Sequence, residues 1–472
     1  MYRQGLGDCF LLQFQNGNSK KFILIDCGVL QNTTGDKEIM NNVAQSIKET
    51  CNGVLDLVII THEHWDHISG FYHAESVFNE FTFKEVWMGW IEDPNDTDAK
   101  KIKDEINSRS QSLKLGLELL SQLESTHGID AALFEDAKSL MAFHGLAAGE
   151  RVSTTDIMDY IRSKAPGQEP KYLKPGSIEK LTGLPGIKFY VLGPPTTAAA
   201  IKRESSSKKG KLYEEERSFT SFDRFMESLA FLPQMVNEDQ PDSNAQQTKG
   251  YPFHQKYQIS QDQANKSYSS YFEKKQDWRS IKFDWVSEFN DFAVKLVTGT
   301  NNTSLVLAIE IEGSGEILLF PGDAQLGNWE SWEAVSFSNG QSTVVKAQDL
   351  LKKTILYKVG HHGSHNATMQ DGGLESMTSE KLIALIPNSK EIAKKQGRKD
   401  EHTGQPKGWA MPFIPLLKRL STKTAGKVVE SDTGKLTKTD DRISEVVDQI
   451  NWKGFTASEV KIDDLYIDIK LK

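Results

Sequence analysis

The chain is poor in cysteine, carries no net positive charge and contains no long apolar run, and each shortage removes a class of protein. Three cysteines in 472 residues, Cys9, Cys27 and Cys51, are too few and too dispersed for a disulfide framework. A reducing compartment is therefore expected. No apolar stretch approaches the ~20 residues of a membrane-spanning helix, and no secretory leader precedes the first strand-like run, so the expectation is a soluble cytoplasmic protein with no membrane partner. Lys and Arg number 56 against 65 Asp and Glu, a formal net charge of −9. That balance excludes a broadly basic surface that coats nucleic acid, while leaving room for a local basic groove.

Histidine, by contrast, is concentrated. Thr61-His62-Glu63-His64-Trp65-Asp66-His67 brings three imidazoles and a carboxylate into six residues. The preceding Val54-Leu55-Asp56-Leu57-Val58-Ile59-Ile60 reads as a buried strand, which puts the cluster on a strand-end loop. Alternate side chains of an extended segment point the same way, so His62 and His64 converge on one ion. Asp66 and His67, expected in a turn leading to Gly70, face a second. Neutral imidazoles and carboxylates suit Zn²⁺, and also Mn²⁺ or Fe. A solvated polar loop would explain one histidine; it is a poor explanation of four donors at this spacing.

A second constellation repeats the logic downstream. Gly315 to Phe320 runs like a strand into Pro321-Gly322-Asp323, and Thr354 to Val359 runs like another into Gly360-His361-His362-Gly363-Ser364-His365. An Asp on such a turn can bridge two cations and a following His can close the second site. Pro-Gly-Asp alone is an ordinary turn; the His-His-Gly-Ser loop is harder to dismiss.

Taken in order, Asp26 in Leu24-Ile25-Asp26-Cys27-Gly28, then His62, His64, Asp66 and His67, then Gly322-Asp323, then His361-His362-Gly363 resembles the metallo-β-lactamase superfamily. Gly5-Leu6-Gly7-Asp8, Val191-Leu192-Gly193-Pro194-Pro195, Asn301-Asn302-Thr303-Ser304-Leu305 and His361 to Ser364 look like its branch containing the hydrolase domain of the competence protein ComEC. The likeness covers about residues 1–95, 171–195 and 277–435. It implies a mixed α/β fold, an αββα four-layer sandwich of two sheets with helices outside and metals at one edge. It also implies two divalent ions, Zn or Mn: one on His62 and His64, the other on Asp66, His67 and His362, with Asp323 between. Asp66 and Asp323 would hold an activated water and His361 would act on substrate, near Ser364 and His365. Asp8 and Asp26 would orient imidazole N–H groups.

One departure stands out. The further His usual in that superfamily has no counterpart in its motif position, where Asn301 to Ser304 falls instead. The first ion is then expected to be held more weakly, unless a residue such as His254 or Cys27 completes its shell.

Because ligands at positions 62 and 362 must meet, the expectation is one domain over residues 1–472 with two insertions. Residues 96–168 are helical in periodicity, and His127 and His144 within them read as helix-end or surface histidines. Residues 196–275 are richer in Ser, Lys, Gln and Asn and read as a loop with the character of a lid. Their Tyr251 to Lys275 portion mixes aromatics with lysines, a pattern suited to stacking on bases but also to local packing. The run from Lys390 to Lys399 is the densest basic stretch. The function expected is hydrolysis of a phosphodiester, in nucleic acid or a nucleotide. A small-molecule ester or lactone hydrolase and a non-catalytic, metal-stabilised binding or scaffold protein are the alternatives.

Overall fold

Apolar residues alternate along the N-terminal strands in a way that gives each face of the first sheet its own neighbours. The computed structural model describes residues 1–17, 19–127, 135–146, 152–203, 259–272, 285–338, 344–397, 408–432 and 460–471. Along the strand Ser19–Cys27, Ile23 and Ile25 belong to one buried cluster, and Phe22, Leu24 and Cys27 to another. Leu57 and Ile59 separate from Val58 and Ile60 in the same way along Leu57–Ile60. Successive side chains of a strand point to opposite faces, so this sheet is covered on both sides, as parallel strands require.

Five strands form that sheet, in the order Cys9–Asn16, Ser19–Cys27, Leu57–Ile60, Val86–Gly89, Lys171–Leu173. The first pair is an antiparallel hairpin and the other pairings are parallel. A seven-stranded sheet follows in the order Val428–Glu430, Ile383–Ile386, Thr354–Lys358, Glu316–Phe320, Val306–Ile311, Ile187–Gly193, Ile178–Glu179. Its first four strands are parallel and the remainder antiparallel.

One apolar cluster draws on both sheets, with Ile25, Ile59 and Trp87 from the first and Phe189, Leu307, Leu318 and Leu385 from the second. Trp87 meets Phe189 edge-on at 5.0 Å between ring centroids, and Phe10 meets Phe320 at 5.5 Å. A second cluster joins Leu24, Val58 and Met88 to Val43 and Ile47 of the helix Asp36–Cys51 and to Ile68 and Phe71 of Trp65–His73. A third joins Leu192, Leu319 and Tyr357 to Trp329, Leu350 and Leu416, from the helices Leu326–Ser331, Ala347–Lys352 and Ile414–Lys423.

The motifs fall where the parallel strands end. Asp26 closes Ser19–Cys27, His62 follows Leu57–Ile60, Asp323 follows Glu316–Phe320 and His361 follows Thr354–Lys358. Leu305 N–H donates to the Thr61 carbonyl at 2.8 Å and ties the two sheets together at that edge. Carboxyl ends of parallel strands are where open α/β sheets place ligands, because the chain must leave the sheet there and exposes side chains in doing so.

Three local expectations change. The run Val54 to Ile60 is interrupted at Asp56, whose carboxylate accepts from Phe22 N–H at 3.0 Å and from Lys21 and Lys84 at 2.9 Å each; an acidic residue inside an apolar run has left the ladder to meet lysines. Asp66 and His67 lie in the first turn of the helix Trp65–His73 instead of a turn, and an acidic residue is favoured at that helix end. The Lys390 to Lys399 run begins as a short helix, Lys390–Lys394, in which Lys390 pairs with buried Glu430 at 3.0 Å.

The stretch 96–168 carries the helices Thr97–His127, Glu135–Met141 and Thr154–Ser163. Ions anchor it: Lys103 bridges Glu63, between the two metal-motif histidines, at 2.5 Å and Glu92 at 2.9 Å, while Arg162 reaches Glu92 at 3.1 Å. Of the stretch 196–275, residues 204–258 and 273–275 lie outside the described residues, and with them the Tyr251 to His254 segment; Gln261–Ser267 is a short helix.

Gly28 is required at the site's edge. A Cβ there would lie 2.4 Å from the Asp66 carbonyl carbon and 2.6 Å from His67 N. Those atoms are backbone, which leaves no flexible side chain to yield, so Gly28→Ala should destabilise the fold by about 1–3 kcal/mol or more, the usual cost of overpacking. Urea unfolding measures it; a midpoint unchanged from wild type would show that the helix Trp65–His73 is not held this closely.

Candidate metal centre

His62, His64, Asp66, His67, Asp323 and His362 are all fully buried and gather at the shared sheet edge. One donor atom each from Asp66, His67, Asp323 and His362 lie within 4.8 Å of one another. His362 Nε2 is 2.8 Å from Asp66 Oδ2, and His67 Nε2 is 3.1 Å from Asp323 Oδ2 and 3.7 Å from Asp66 Oδ2. His62 and His64 form the adjoining end, with His62 Nε2 2.9 Å from His64 Nδ1. That is close to the ~3.3 Å separating two nitrogens of one tetrahedral ion with bonds of about 2.0–2.1 Å.

The partners fix the tautomers. His362 Nδ1 faces the Pro387 carbonyl at 2.6 Å, which can only accept, so that nitrogen carries the proton and Nε2 offers its lone pair. His67 Nδ1 donates to Asp26 Oδ2 at 2.8 Å, with the same consequence. Thr61 donates its hydroxyl to Asp26 at 2.6 Å, so Thr61 Oγ1 accepts from His62 Nδ1 at 3.1 Å and His62 Nε2 is likewise free to ligate. Asp26 thus orients two imidazoles, one directly and one through Thr61. Asp8 lies 3.7 Å from His67 Nδ1 and 4.0 Å from His362 Nδ1, and its closest partner is Lys358.

His361 and His362 occupy the left-handed region, at φ 43° and 53°, as does Asp26 at φ 54°. Each such residue costs about 1–2 kcal/mol of local strain. Their neighbours enforce it: the His361 N–H donates to Asp323 Oδ1 at 2.9 Å, and Gly363, whose Cβ position is 2.9 Å from Pro412 Cβ, turns the loop back. The turn sends the two rings different ways. His361 Nδ1 meets Ser364 Oγ at 2.8 Å and the Gln325 amide at 3.3 Å, while its Nε2 has no hydrogen-bond partner. Ser364 is therefore engaged by His361 and by Asn366, and half-buried His365 packs edge-on against Phe413 at 5.9 Å.

Sequence reasoning missed several members. Lys358 is buried, donates to Asp323 Oδ1 at 2.9 Å and the Gly322 carbonyl at 2.8 Å, and pairs with Asp8. A lysine at the end of an otherwise apolar buried strand was its signal. His144, expected at a surface or helix end, ends a 3₁₀ turn but is buried, its ring 4.7 Å from that of His64. Phe143 beside it lies 5.7 Å from the His64 ring and 5.6 Å from that of His361, and stacks on Trp409 at 5.2 Å. Cys27 belongs instead to the apolar cluster with Cys9, its sulfur against Gly70. Asn301, in the Asn301 to Ser304 segment, is buried with both side-chain polar atoms lacking hydrogen-bond partners.

Charge states follow from this crowding. Burial, reinforced by neighbouring imidazoles, holds His62 and His64 well below the usual histidine range, so both are neutral. Burial pushes His361 and His144 down to about 4 each, and Asp8 up to about 6 against the pull of Lys358. Burial opposes ionisation of Asp323, but Lys358 and the His67 imidazole outweigh it and hold that carboxyl well down. His67 is driven up, against its burial, by Asp323, Asp8, Asp66 and Asp26. Among the described residues these four buried carboxylates thus face one ammonium, and the balance is met by protons on imidazoles that a divalent cation would displace. Asp66 Oδ1 and His64 Nε2 have no hydrogen-bond partner, and His67 Nε2 and Asp323 Oδ2 face each other at 3.1 Å. Such orphans cost about 1–3 kcal/mol each, and hard or borderline cations satisfy this donor set.

Residues 2–85 match the family model described as the Metallo-beta-lactamase superfamily. No curated protein and no solved structure matches the chain. The matched segment contains Asp8, Asp26 and the whole His62 to His67 motif, and the buried His/Asp cluster is consistent with a metal-dependent hydrolase.

If His362 ligates and His361 does not, His362→Ala lowers the metal content of the purified protein while His361→Ala leaves it near wild type and lowers turnover. Elemental analysis beside a kinetic assay separates the two, and the opposite pattern reverses the assignment.

Proposed function

We propose that the chain is a two-metal hydrolase acting on phosphodiesters in nucleic acid or a nucleotide. In this reading residues 1–472 form one domain, its two sheets packed face to face with helices outside in αββα layers, interrupted by the two insertions. The cluster shared by both sheets and the two clusters joining each sheet to helices support that layering. The motifs Gly5 to Asp8, Asn301 to Leu305 and His361 to Ser364 favour the ComEC-like branch.

Two Zn or Mn ions would be held by His62 and His64 at one end and by Asp66, His67 and His362 at the other, with Asp323 between. When bound, such a pair brings a shared water to near-neutral pKa and polarises the oxygen of the bond to be cleaved. Asp66 and Asp323 would ligate the ions and position the attacking water. Lys358, fixed on Asp323 Oδ1 and the Gly322 carbonyl, keeps one Asp323 oxygen occupied and leaves Oδ2 facing His67.

His361 carries the catalytic reading. A purely structural metal has no use for a buried imidazole whose Nδ1 is anchored by Ser364 and whose Nε2 has no protein partner. In a hydrolase that nitrogen meets charge developing on the substrate oxygen. Half-buried Trp409, stacked on fully buried Phe143, is the member of that aromatic pair that a base could reach. The same aromatic pair suits a small-molecule ester or lactone, which is the second reading.

A panel of chromogenic phosphodiester, phosphomonoester and lactone substrates plus single-stranded DNA, assayed with Zn²⁺ and with Mn²⁺, decides between them. Turnover of the diester or DNA, lost to chelator and reduced at least ~100-fold in Asp66→Asn, is expected. Turnover confined to the lactone would replace the phosphodiester reading, and none on any substrate, with metal bound, would favour a binding role.

A further inference from the structure

An imidazole packed against a flat ring is not aimed by its shape. His361 leans on Phe143 at 5.6 Å between ring centroids, and exchanging Nδ1 with the carbon on the opposite edge of the imidazole would leave that contact nearly as it is. The terminal torsion of a histidine is broad and roughly two-fold. Direction therefore has to come from hydrogen bonds at Nδ1.

Those bonds form a closed circuit through two amides. Ser364 Oγ lies 2.8 Å from His361 Nδ1 and donates its own hydrogen to Asn366 Oδ1 at 3.0 Å. The Asn366 amide donates to Gln325 Oε1 at 3.2 Å, and the Gln325 amide nitrogen comes back to 3.3 Å from His361 Nδ1. Ser364 and Gln325 are buried and Asn366 is half-buried. A hydroxyl and two amides withdrawn from water are costly unless paired. Here the pairing is achieved around one nitrogen of one imidazole.

The circuit joins two loops on which the site depends. Gln325 follows Asp323 and Ala324 at the start of the helix Leu326–Ser331, where its carbonyl accepts from the Asn328 and Trp329 N–H groups at 3.0 Å each. Asn366 lies on the loop that leaves Thr354–Lys358 through His361 and His362. The Trp329 indole N–H donates to the carbonyls of Ala324 and Ala367, 3.1 Å from each, and these are the chain neighbours of Gln325 and Asn366. Backbone is thereby fixed beside both amides, so their side chains meet with less conformational freedom left to lose.

We propose that Gln325 and Asn366 are positioning residues that, with Ser364, hold the His361 ring so that Nε2 is kept toward substrate. Neither amide touches substrate; both act through His361. The proposal rests on the reading of His361 as the side chain that meets substrate, and adds to it what fixes the ring.

The test uses the full-length Zn²⁺-loaded protein with bis(p-nitrophenyl) phosphate as probe. Asn366→Ala should lower kcat about 10–100-fold, the cost of a reacting group displaced by about an ångström, with KM and metal content near wild type. Gln325→Met, which keeps the length and loses the amide, should do the same from the other loop, and stands in if the first variant does not fold. In a His361→Ala background neither substitution should lower kcat further, because effects exerted through one shared group do not add. Ring-nitrogen shifts of ¹⁵N-labelled His361, which report its hydrogen bonds without turnover, should move in both variants. An equal loss in the His361→Ala background, a loss of metal together with turnover, or unmoved His361 shifts overturns the proposal. Wild type that turns over no diester strikes the phosphodiester reading instead, and the shifts then decide the positioning by themselves.

Discussion

Buried charge of one sign is the constraint from which the rest of this molecule follows. Asp8, Asp26, Asp66 and Asp323 are withdrawn from water at one sheet edge, and among the described residues the one ammonium facing them, that of Lys358, pairs with Asp8 and Asp323. Ionised carboxylates in such a setting are tolerated when paired, hydrogen-bonded or bound to metal. Hydrogen bonds account for part of the set: Asp26 receives the Thr61 backbone and hydroxyl and His67, and Asp323 receives Lys358 and the His361 backbone. Asp66 Oδ1 and Asp323 Oδ2 remain for cations.

The scaffold is shaped by that demand. Asp26, His361 and His362 adopt left-handed backbone that the surrounding structure must enforce. Gly28 and Gly322 have no room for a side chain, Gly28 against the Asp66 and His67 backbone, Gly322 with its Cβ position 2.9 Å from Thr61. The two sheets meet at this edge through Leu305 and Thr61, so a donor from residue 62 and one from residue 362 are brought together by packing at a distance, not by local sequence. Strain of this kind, concentrated at a cluster of ligating groups, is the usual mark of a site preorganised for function.

Much of this was legible in the sequence for a physical reason. Apolar, β-branched runs such as Leu57 to Ile60 and Thr354 to Tyr357 can hardly be anything but buried strands, and donors directly after them land at strand ends. The grouping of Asp66, His67, Asp323 and His362 came from the resemblance to the metallo-β-lactamase superfamily, and the structure brings their donors within 4.8 Å of one another. Tertiary placement was not legible. Nothing local distinguishes His144 from a surface histidine beside a glycine, because its burial depends on Trp65, Phe143 and Gln31 converging from elsewhere. Lys358, at the end of an otherwise apolar strand, was legible as a charge in an apolar run, but its carboxylate partners come from elsewhere in the fold. Cys27, next to Asp26, sits in the apolar cluster, the buried small-hydrophobe reading its type suggests.

The central claim is that cations complete this charge cluster and thereby stabilise the fold. The direct measurement is thermal unfolding of chelator-treated protein before and after Zn²⁺ or Mn²⁺ is restored. A ligand that binds only the folded state adds about 2.7 kcal/mol at a hundredfold excess over its dissociation constant. The account predicts a melting temperature that rises by several degrees with added metal and returns to baseline with chelator; a melting temperature indifferent to either metal would contradict it.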